Sequence, residues 1–119
     1  MSKHDPTVTL LQIADYSRRA QELCSGRTLD ELLADWRNAL AFERVMEVLG
    51  EATKRLPQEL RDRYPAVQWK LVAGMRDRVS HGYDAIDHQT LWDTVQQDVP
   101  ALVATVEQML NEIGAAPSR

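Results

Sequence analysis

The spacing of apolar residues along the chain is helical throughout, and no alternating run is long enough to predict a β-strand. A first helix is predicted over residues 5–25, because an Asp-Pro pair opens it and a Ser-Gly pair closes it. The second begins after Thr28, which can form a capping box with Glu31. The apolar stripe that follows predicts one unbroken helix over residues 29–56.

The second half of the chain predicts two further helices after a polar connector at residues 57–65. The third begins near Ala66 and ends at position 82, where a glycine is suited to a left-handed cap. The fourth covers residues 87–113, and Pro100 interrupts it because proline lacks a backbone donor. Four main helices joined by short loops predict an all-α, up-and-down helical bundle.

The length of 119 residues is that of one domain, so we expect residues 1–119 to form a single helical domain. Cys24 is the one cysteine of the sequence, which excludes an intrachain disulfide. The first residues lack a basic stretch followed by an apolar run, which favours a cytoplasmic location. No apolar stretch approaches the ~20 residues of a membrane span, so no membrane partner is expected.

Charge is distributed unevenly along this chain of net charge −4. Residues 37–78 carry nine basic and six acidic side chains, whereas residues 79–119 carry one basic and six acidic. The overall balance argues against a protein that coats nucleic acid through a broad basic surface. A polyanion should therefore meet the middle third of the chain, although solvated helix faces would explain most of these basic residues taken singly.

The segment of greatest chemical interest lies at residues 74–83, at the end of the third predicted helix. Helical rotation places Arg76 beside the core stripe rather than within it. Asp77 and His81 are four residues apart, so the carboxylate can reach the imidazole. A cation, a titratable ring and an orienting acid thus fall within about one and a half helical turns.

These three groups suit cleavage of RNA without a metal. The 2′-hydroxyl must lose a proton, the leaving oxygen must gain one, and charge builds on the phosphorane between them. Histidine suits proton transfer because its unperturbed pKa is near neutrality, and the planar guanidinium of an arginine matches two phosphate oxygens. One chain supplies a single histidine here, so two chains packed through this region would supply both acid and base. A surface arginine and a histidine that merely favours a helix C-terminus remain the alternative.

The same segment resembles the Arg-x4-His-x-Tyr signature of HepT toxins, a branch of the HEPN superfamily (higher eukaryotes and prokaryotes nucleotide-binding). The likeness extends to a Gly-Glu-Ala stretch within residues 48–52, to Tyr64-Pro65 with Trp69 before the third helix, and to the last helix. It covers about residues 42–113, and the ordered set of motifs is far more specific than any single piece.

The resemblance implies an all-α HEPN-like bundle that forms a homodimer, with Arg76 and His81 making a ribonuclease site in the dimer cleft. It also implies the toxin of a type VII-like toxin–antitoxin module, whose antitoxin is a minimal nucleotidyltransferase. In that family the nucleotidyltransferase adds AMP to the motif tyrosine, here Tyr83, and silences the nuclease. RNA is the expected substrate, and neither a cofactor, a metal nor DNA is expected.

Asp77 departs from the pattern, because many relatives carry asparagine directly after the arginine. A carboxylate there could orient His81 and raise its pKa, or it could repel the scissile phosphate and weaken activity. We favour orientation and assign Asp77 a supporting role in catalysis.

Four residues near the end of the third helix also form a possible metal-ligand cluster: His81, Asp84, Asp87 and His88. Their spacing matches no familiar helical metal motif, and Asp87 is well placed to cap the fourth helix, so we predict no metal site.

Three further side chains are candidates for lesser roles. Glu47 and Glu51 lie four residues apart and are expected to pair with Arg44, Arg55 or an arginine of a partner, with Glu51 a possible support of the site. Trp69, like the other tryptophans, is expected in the core or an interface, and its place on the side of Arg76 makes it the one to test for RNA contact.

Two alternatives to a nuclease remain open from the sequence. One is a non-catalytic HEPN module that binds nucleotide or a nucleotidyltransferase partner. The other is a subunit that presents nucleotide to the transferase without cutting RNA.

Overall fold

The computed structural model describes residues 5–80 and 86–113, which contain helices and no strand. The all-α prediction is confirmed. In chain order the helices are α1 (Pro6–Cys24), α2 (Leu29–Ala34), α3 (Trp36–Lys54), α4 (Gln58–Asp62), α5 (Trp69–Ala73), α6 (Met75–Ser80), α7 (His88–Gln97) and α8 (Val99–Glu112). Within the described ranges, none of them is long and apolar enough to cross a membrane.

The predicted start signals of the first two helices are confirmed. The carboxylate of Asp5 accepts a hydrogen bond from the Thr7 amide at 2.9 Å, ahead of a proline in the first turn of α1. Thr28 and Glu31 form the capping box at the start of α2, with N···O distances of 2.8 and 3.1 Å. Local side-chain chemistry therefore fixes where these two helices begin.

The prediction of one unbroken helix over residues 29–56 is wrong, because the backbone turns at Asp35. Asp35 is extended, with φ −103° and ψ 116°, and its carboxylate accepts a hydrogen bond from the Arg37 amide at 2.9 Å. An aspartate that satisfies an otherwise unpaired amide can begin a new helix, and here it starts α3. The hydrogen bonds from Arg37 also hold the pKa of the Asp35 carboxyl below its ordinary value.

The third predicted helix also begins later than expected and is broken. It starts at Trp69 rather than near Ala66, and a turn at Gly74 separates α5 from α6. The fourth is interrupted as predicted, since α7 ends before Asp98 and Pro100 lies in the first turn of α8.

Helices α1 and α3 pack against each other at the centre of the fold. On its other side α3 contacts α5 and α6, while α7 and α8 pack on α1. Phe42, Met46 and Leu49 of α3 are fully buried, and so are Val72 and Met75 of the facing elements. The predicted apolar stripe of the third helix therefore faces the core, and α3 connects that helix to the rest of the protein.

Gly50 allows α3 to approach the α5–α6 turn at backbone contact. A Cβ atom at position 50 would lie 2.5 Å from the Arg76 amide nitrogen and 3.1 Å from the Ala73 carbonyl oxygen. Both atoms belong to the backbone, so no side-chain rotation could make room for a larger residue. The position of Arg76 is therefore fixed by contact with α3.

We expect Gly50→Ala to lower the free energy of unfolding by about 1 to 3 kcal/mol, the usual cost of overpacking a well-packed site. The methyl group would push α6 away from α3, and this cost should exceed the gain of up to about 1 kcal/mol that alanine brings to a helix. Urea denaturation followed by circular dichroism measures the change.

Gly74→Ala is the matched control, because a Cβ atom there would meet only carbonyl oxygens of its own preceding turn, the nearest at 3.3 Å. Its effect should be clearly smaller than that of Gly50→Ala. Equal stability of the Gly50→Ala variant and the wild type would contradict the close approach.

Candidate active site

Arg76 lies in the first turn of α6, directly after the Gly74 turn that contacts Gly50. Its Nε atom forms an ion pair with Oε1 of Glu51, the residue that follows Gly50 on α3. The two consecutive residues of α3 therefore fix both the backbone and the guanidinium of Arg76. The side chain remains 39% exposed, so the guanidinium is held in place without being enclosed.

Asp77 provides a second carboxylate near Arg76, since its Oδ1 lies 3.9 Å from Nη1 of that arginine. The Asp77 side chain is half-exposed on α6. Its predicted partner His81 and the predicted modification site Tyr83 lie outside the described residues. The structure thus places Arg76 and Asp77 together, and the arrangement of His81 and Tyr83 around them stays a prediction.

A solvent-open cleft of about 390 Å³ adjoins Arg76 between α1 and α3. Its lining is predominantly polar and includes Gln12, Tyr16, Arg44, Glu47, Arg55 and Arg76. We refer to it as the arginine cleft. Three guanidinium groups and the carboxylates of Glu47 and Glu51 share this space, which makes it suitable for an anionic, hydrogen-bonding ligand.

The two glutamates of α3 have different partners. Glu47 pairs with Arg44 at 3.2 Å, as predicted from their spacing. The pairing of Glu51 with Arg76 was not among the predicted pairs, because the two residues come from different helices. The Gly-Glu-Ala stretch marked the position of Glu51 without indicating its partner.

Trp69 does not line this cleft, and the expectation that the tryptophan is a core residue is confirmed for it. The side chain is buried in the core, and its Nε1 donates a hydrogen bond to the Tyr64 carbonyl oxygen at 2.8 Å. Because α5 starts at Trp69 itself, the indole closes the preceding loop instead of facing solvent beside Arg76.

Two members of the possible metal-ligand cluster have other partners. Asp87 caps α7, accepting hydrogen bonds from the Thr90 amide at 3.1 Å and the Thr90 hydroxyl at 2.7 Å, which lower the pKa of the Asp87 carboxyl. Nε2 of His88 lies 2.7 Å from Oε2 of Glu43 on α3. Among the residues that the structure describes, no group of three ligand-type side chains is placed to bind a metal.

A larger cleft of about 520 Å³ lies between the α1–α2 loop and α7, and Cys24 is part of its lining. Burial raises the pKa of the Cys24 thiol to about 11, although nearby Arg27 acts in the opposite direction. A raised pKa disfavours the thiolate, which is the form of cysteine that acts as a nucleophile. The arginine cleft is therefore the better candidate for the functional site.

Comparison with known proteins extends the likeness over nearly the whole chain. The family model described as "Ribonuclease HepT-like" matches residues 13–109. A protein named as an RNase from Methanocaldococcus jannaschii is 34% identical over 113 residues, which cover 95% of this chain and 93% of the relative. Another, from Caldanaerobacter subterraneus subsp. tengcongensis, is 34% identical over 91 residues, covering 76% of this chain and 81% of the relative.

A relative named as a ribonuclease HepT from Thermococcus cleftensis is 31% identical over 100 residues, covering 84% of this chain and 91% of the relative. No solved structure gives a significant match. The family match includes α3, the α5–α6 turn and Arg76, so it covers the elements that build the arginine cleft. The chain belongs to the HepT-like ribonuclease family.

Proposed function

We propose that this protein is a metal-independent endoribonuclease toxin that acts as a homodimer in the cytoplasm. The observation that carries the proposal is Arg76, which Glu51 holds through Nε at the edge of an open, arginine-lined cleft. An arginine engaged at Nε can still direct its Nη groups to phosphate oxygens, and the nearest Asp77 oxygen, at 3.9 Å from Nη1, is beyond hydrogen-bond distance. Membership in the HepT-like ribonuclease family supports RNA as the substrate.

In the proposed reaction the 2′-oxygen of a ribose attacks the adjacent phosphorus while the bond to the 5′-oxygen of the next nucleotide breaks. The imidazole of His81 accepts the proton of the 2′-hydroxyl, and a second imidazole in its protonated form gives a proton to the leaving oxygen. The partner subunit's His81 supplies that second group. Arg76 stabilises the negative charge of the phosphorane, and Asp77 orients His81.

Glu51 is a positioning residue in this mechanism. A flexible arginine side chain loses rotational freedom when it binds a phosphate, and a preformed ion pair reduces that loss. Gly50 supports the same arrangement by setting the backbone of Arg76 against α3. The ion pair between Glu51 and Arg76 supports this part of the proposal.

Regulation in the proposal is by a minimal nucleotidyltransferase antitoxin that transfers AMP to the hydroxyl of Tyr83. The tyrosine lies seven residues after Arg76 in the sequence. A phosphodiester at that position would place negative charge near the guanidinium that is meant for RNA, and the nucleotide would obstruct access by its size. The modification would then abolish RNA binding without unfolding the protein.

We expect His81→Ala and Arg76→Ala each to reduce RNA cleavage by on the order of 10²-fold or more, because each removes one group of the transition-state assembly. The measurement uses purified protein with bulk RNA and with tRNA, and cleavage should persist in EDTA. Arg61→Ala, which removes an arginine outside the arginine cleft, is the control and should keep wild-type activity.

If His81→Ala cuts RNA at the wild-type rate, the assignment of the site is wrong. If the wild type does not cut RNA at all, the protein is a non-catalytic HEPN module.

Mixing His81→Ala chains into wild-type protein should lower activity more than dilution does, because each dimer site needs both histidines. A monomer with full activity would contradict the dimer.

Glu51→Ala should lower kcat by up to about 10²-fold while leaving KM nearly unchanged, since a misplaced Arg76 still attracts phosphate but no longer meets the phosphorane well. Glu47→Ala is the matched control, because it removes a glutamate of the same cleft that pairs with Arg44. Steady-state kinetics on one RNA oligonucleotide compares the two variants. A Glu51→Ala variant that is more active than wild type would mean that the carboxylate only competes with phosphate.

Tyr83→Phe should keep ribonuclease activity and should stop cell growth even when an active nucleotidyltransferase is co-expressed, because it lacks the hydroxyl that accepts AMP. Mass spectrometry of co-expressed wild type should show AMP on the peptide that contains Tyr83. Tyr64→Phe, in which a different tyrosine loses its hydroxyl, should be neutralised like the wild type. Neutralisation of Tyr83→Phe would show that the antitoxin acts by another route.

A further inference from the structure

The arginine cleft extends well beyond Arg76 and contains two arginines that the proposed chemistry does not use. Arg44 and Glu51 of α3 are seven residues apart, and Arg55, the residue that caps the end of α3 in a helical conformation, follows four residues later. This spacing places all three on one side of the helix. Along the α3 axis, Arg44 lies about 10 Å to one side of Glu51 and Arg55 about 6 Å to the other. Because Arg76 is paired with Glu51, it lies between the other two arginines along this axis.

Both of these arginines are available to an incoming anion. The Arg44 side chain is 71% exposed, and its pairing with Glu47 at 3.2 Å is a surface ion pair of the kind that contributes little energy. Arg55 is exposed and forms no ion pair within residues 5–80 and 86–113. A phosphate can therefore bind either guanidinium at small cost.

The lining of the cleft favours contact with phosphates over contact with bases. Tyr16 is the aromatic residue of the lining, and the guanidinium of Arg19 already lies over its ring at 5.0 Å from the centroid. The carboxylates of Glu47 and Glu51, which could accept hydrogen bonds from base edges, are both engaged with arginines. Within this lining the Gln12 amide and the Tyr16 hydroxyl are the groups left to hydrogen-bond a base edge, whereas three guanidinium groups face the same cleft.

We infer that single-stranded RNA runs along the arginine cleft, with Arg44 and Arg55 binding the phosphates on either side of the one that Arg76 holds. The inference rests on RNA being the ligand in the proposed function. It assigns the flanking arginines to affinity and alignment of the strand and leaves the bond-breaking step to Arg76 and His81. These contacts carry no sequence information, so the cleft would bind RNA of any sequence.

The test is the salt dependence of binding to a fluorescent 2′-O-methyl oligonucleotide, which keeps every phosphate but lacks the free hydroxyl needed for cleavage. The slope of log K against log salt concentration is negative, and Arg44→Gln and Arg55→Gln should each reduce its magnitude by about 0.7, and the double variant by about 1.4. Binding at fixed salt should weaken several-fold and to the same extent for oligonucleotides of different sequence. Arg55→Lys keeps the charge and should keep the slope.

Arg37→Gln is the matched control, because Arg37 belongs to the same helix, is 73% exposed and lies outside the arginine cleft. It should leave the slope unchanged. The inference is overturned if the Arg44 and Arg55 variants keep the wild-type slope, or if Arg37→Gln reduces the magnitude of the slope equally. It is also overturned if the loss of RNA affinity depends on base sequence.

Cleavage assays on the same proteins separate this inference from the proposed function. If the wild type does not cut RNA but the Arg44 and Arg55 variants show the expected smaller salt dependence of binding, the RNA path is supported and the nuclease proposal fails. If the wild type cuts RNA and the slopes do not change, the nuclease proposal is supported and the path is wrong.

Discussion

The backbone contact between Gly50 and the α5–α6 turn is the constraint on which the site depends. Without a side chain at position 50, α3 approaches the amide of Arg76 so closely that even one methyl group would clash. The next residue, Glu51, then meets the guanidinium of that same arginine. One dipeptide of a central, well-packed helix therefore sets both the location and the direction of Arg76. A site built on such a helix is more precise than one built on a loop alone.

Much of the fold is encoded by local chemistry and could be predicted from the sequence. The caps at Asp5, Thr28 and Asp87 act through hydrogen bonds to amides two or three residues away, so a short window of sequence contains the whole interaction. Asp35 shows where this reasoning fails. It lies inside a continuous apolar stripe, and nothing nearby distinguishes an aspartate on the solvent face of one helix from an aspartate that begins another.

The site was predictable only in part, because some of its contacts join residues that are far apart in the sequence. The position of Arg76 beside the core stripe follows from helical periodicity, and the buried Val72 and Met75 confirm that stripe. Its ion pair with Glu51 joins residues far apart in sequence and depends on how α6 packs on α3. Helical spacing placed Trp69 on the side of Arg76 because it was counted along a helix that begins near Ala66. In the structure α5 starts at Trp69 itself, and the indole is buried against the preceding loop.

The electrostatic surroundings of Arg76 explain why one arginine would be a poor binding site for RNA. Glu51 pairs with it, and Asp77 lies 3.9 Å from Nη1, so two carboxylates surround one guanidinium in a chain of net charge −4. The two carboxylates partly offset the attraction of the Arg76 guanidinium for a phosphate. The proposed RNA path adds positive charge from Arg44 and Arg55, which line the same cleft. In the proposed mechanism the two tasks are therefore separate: carboxylates hold Arg76 in place for catalysis, and the exposed Arg44 and Arg55 attract and align the strand.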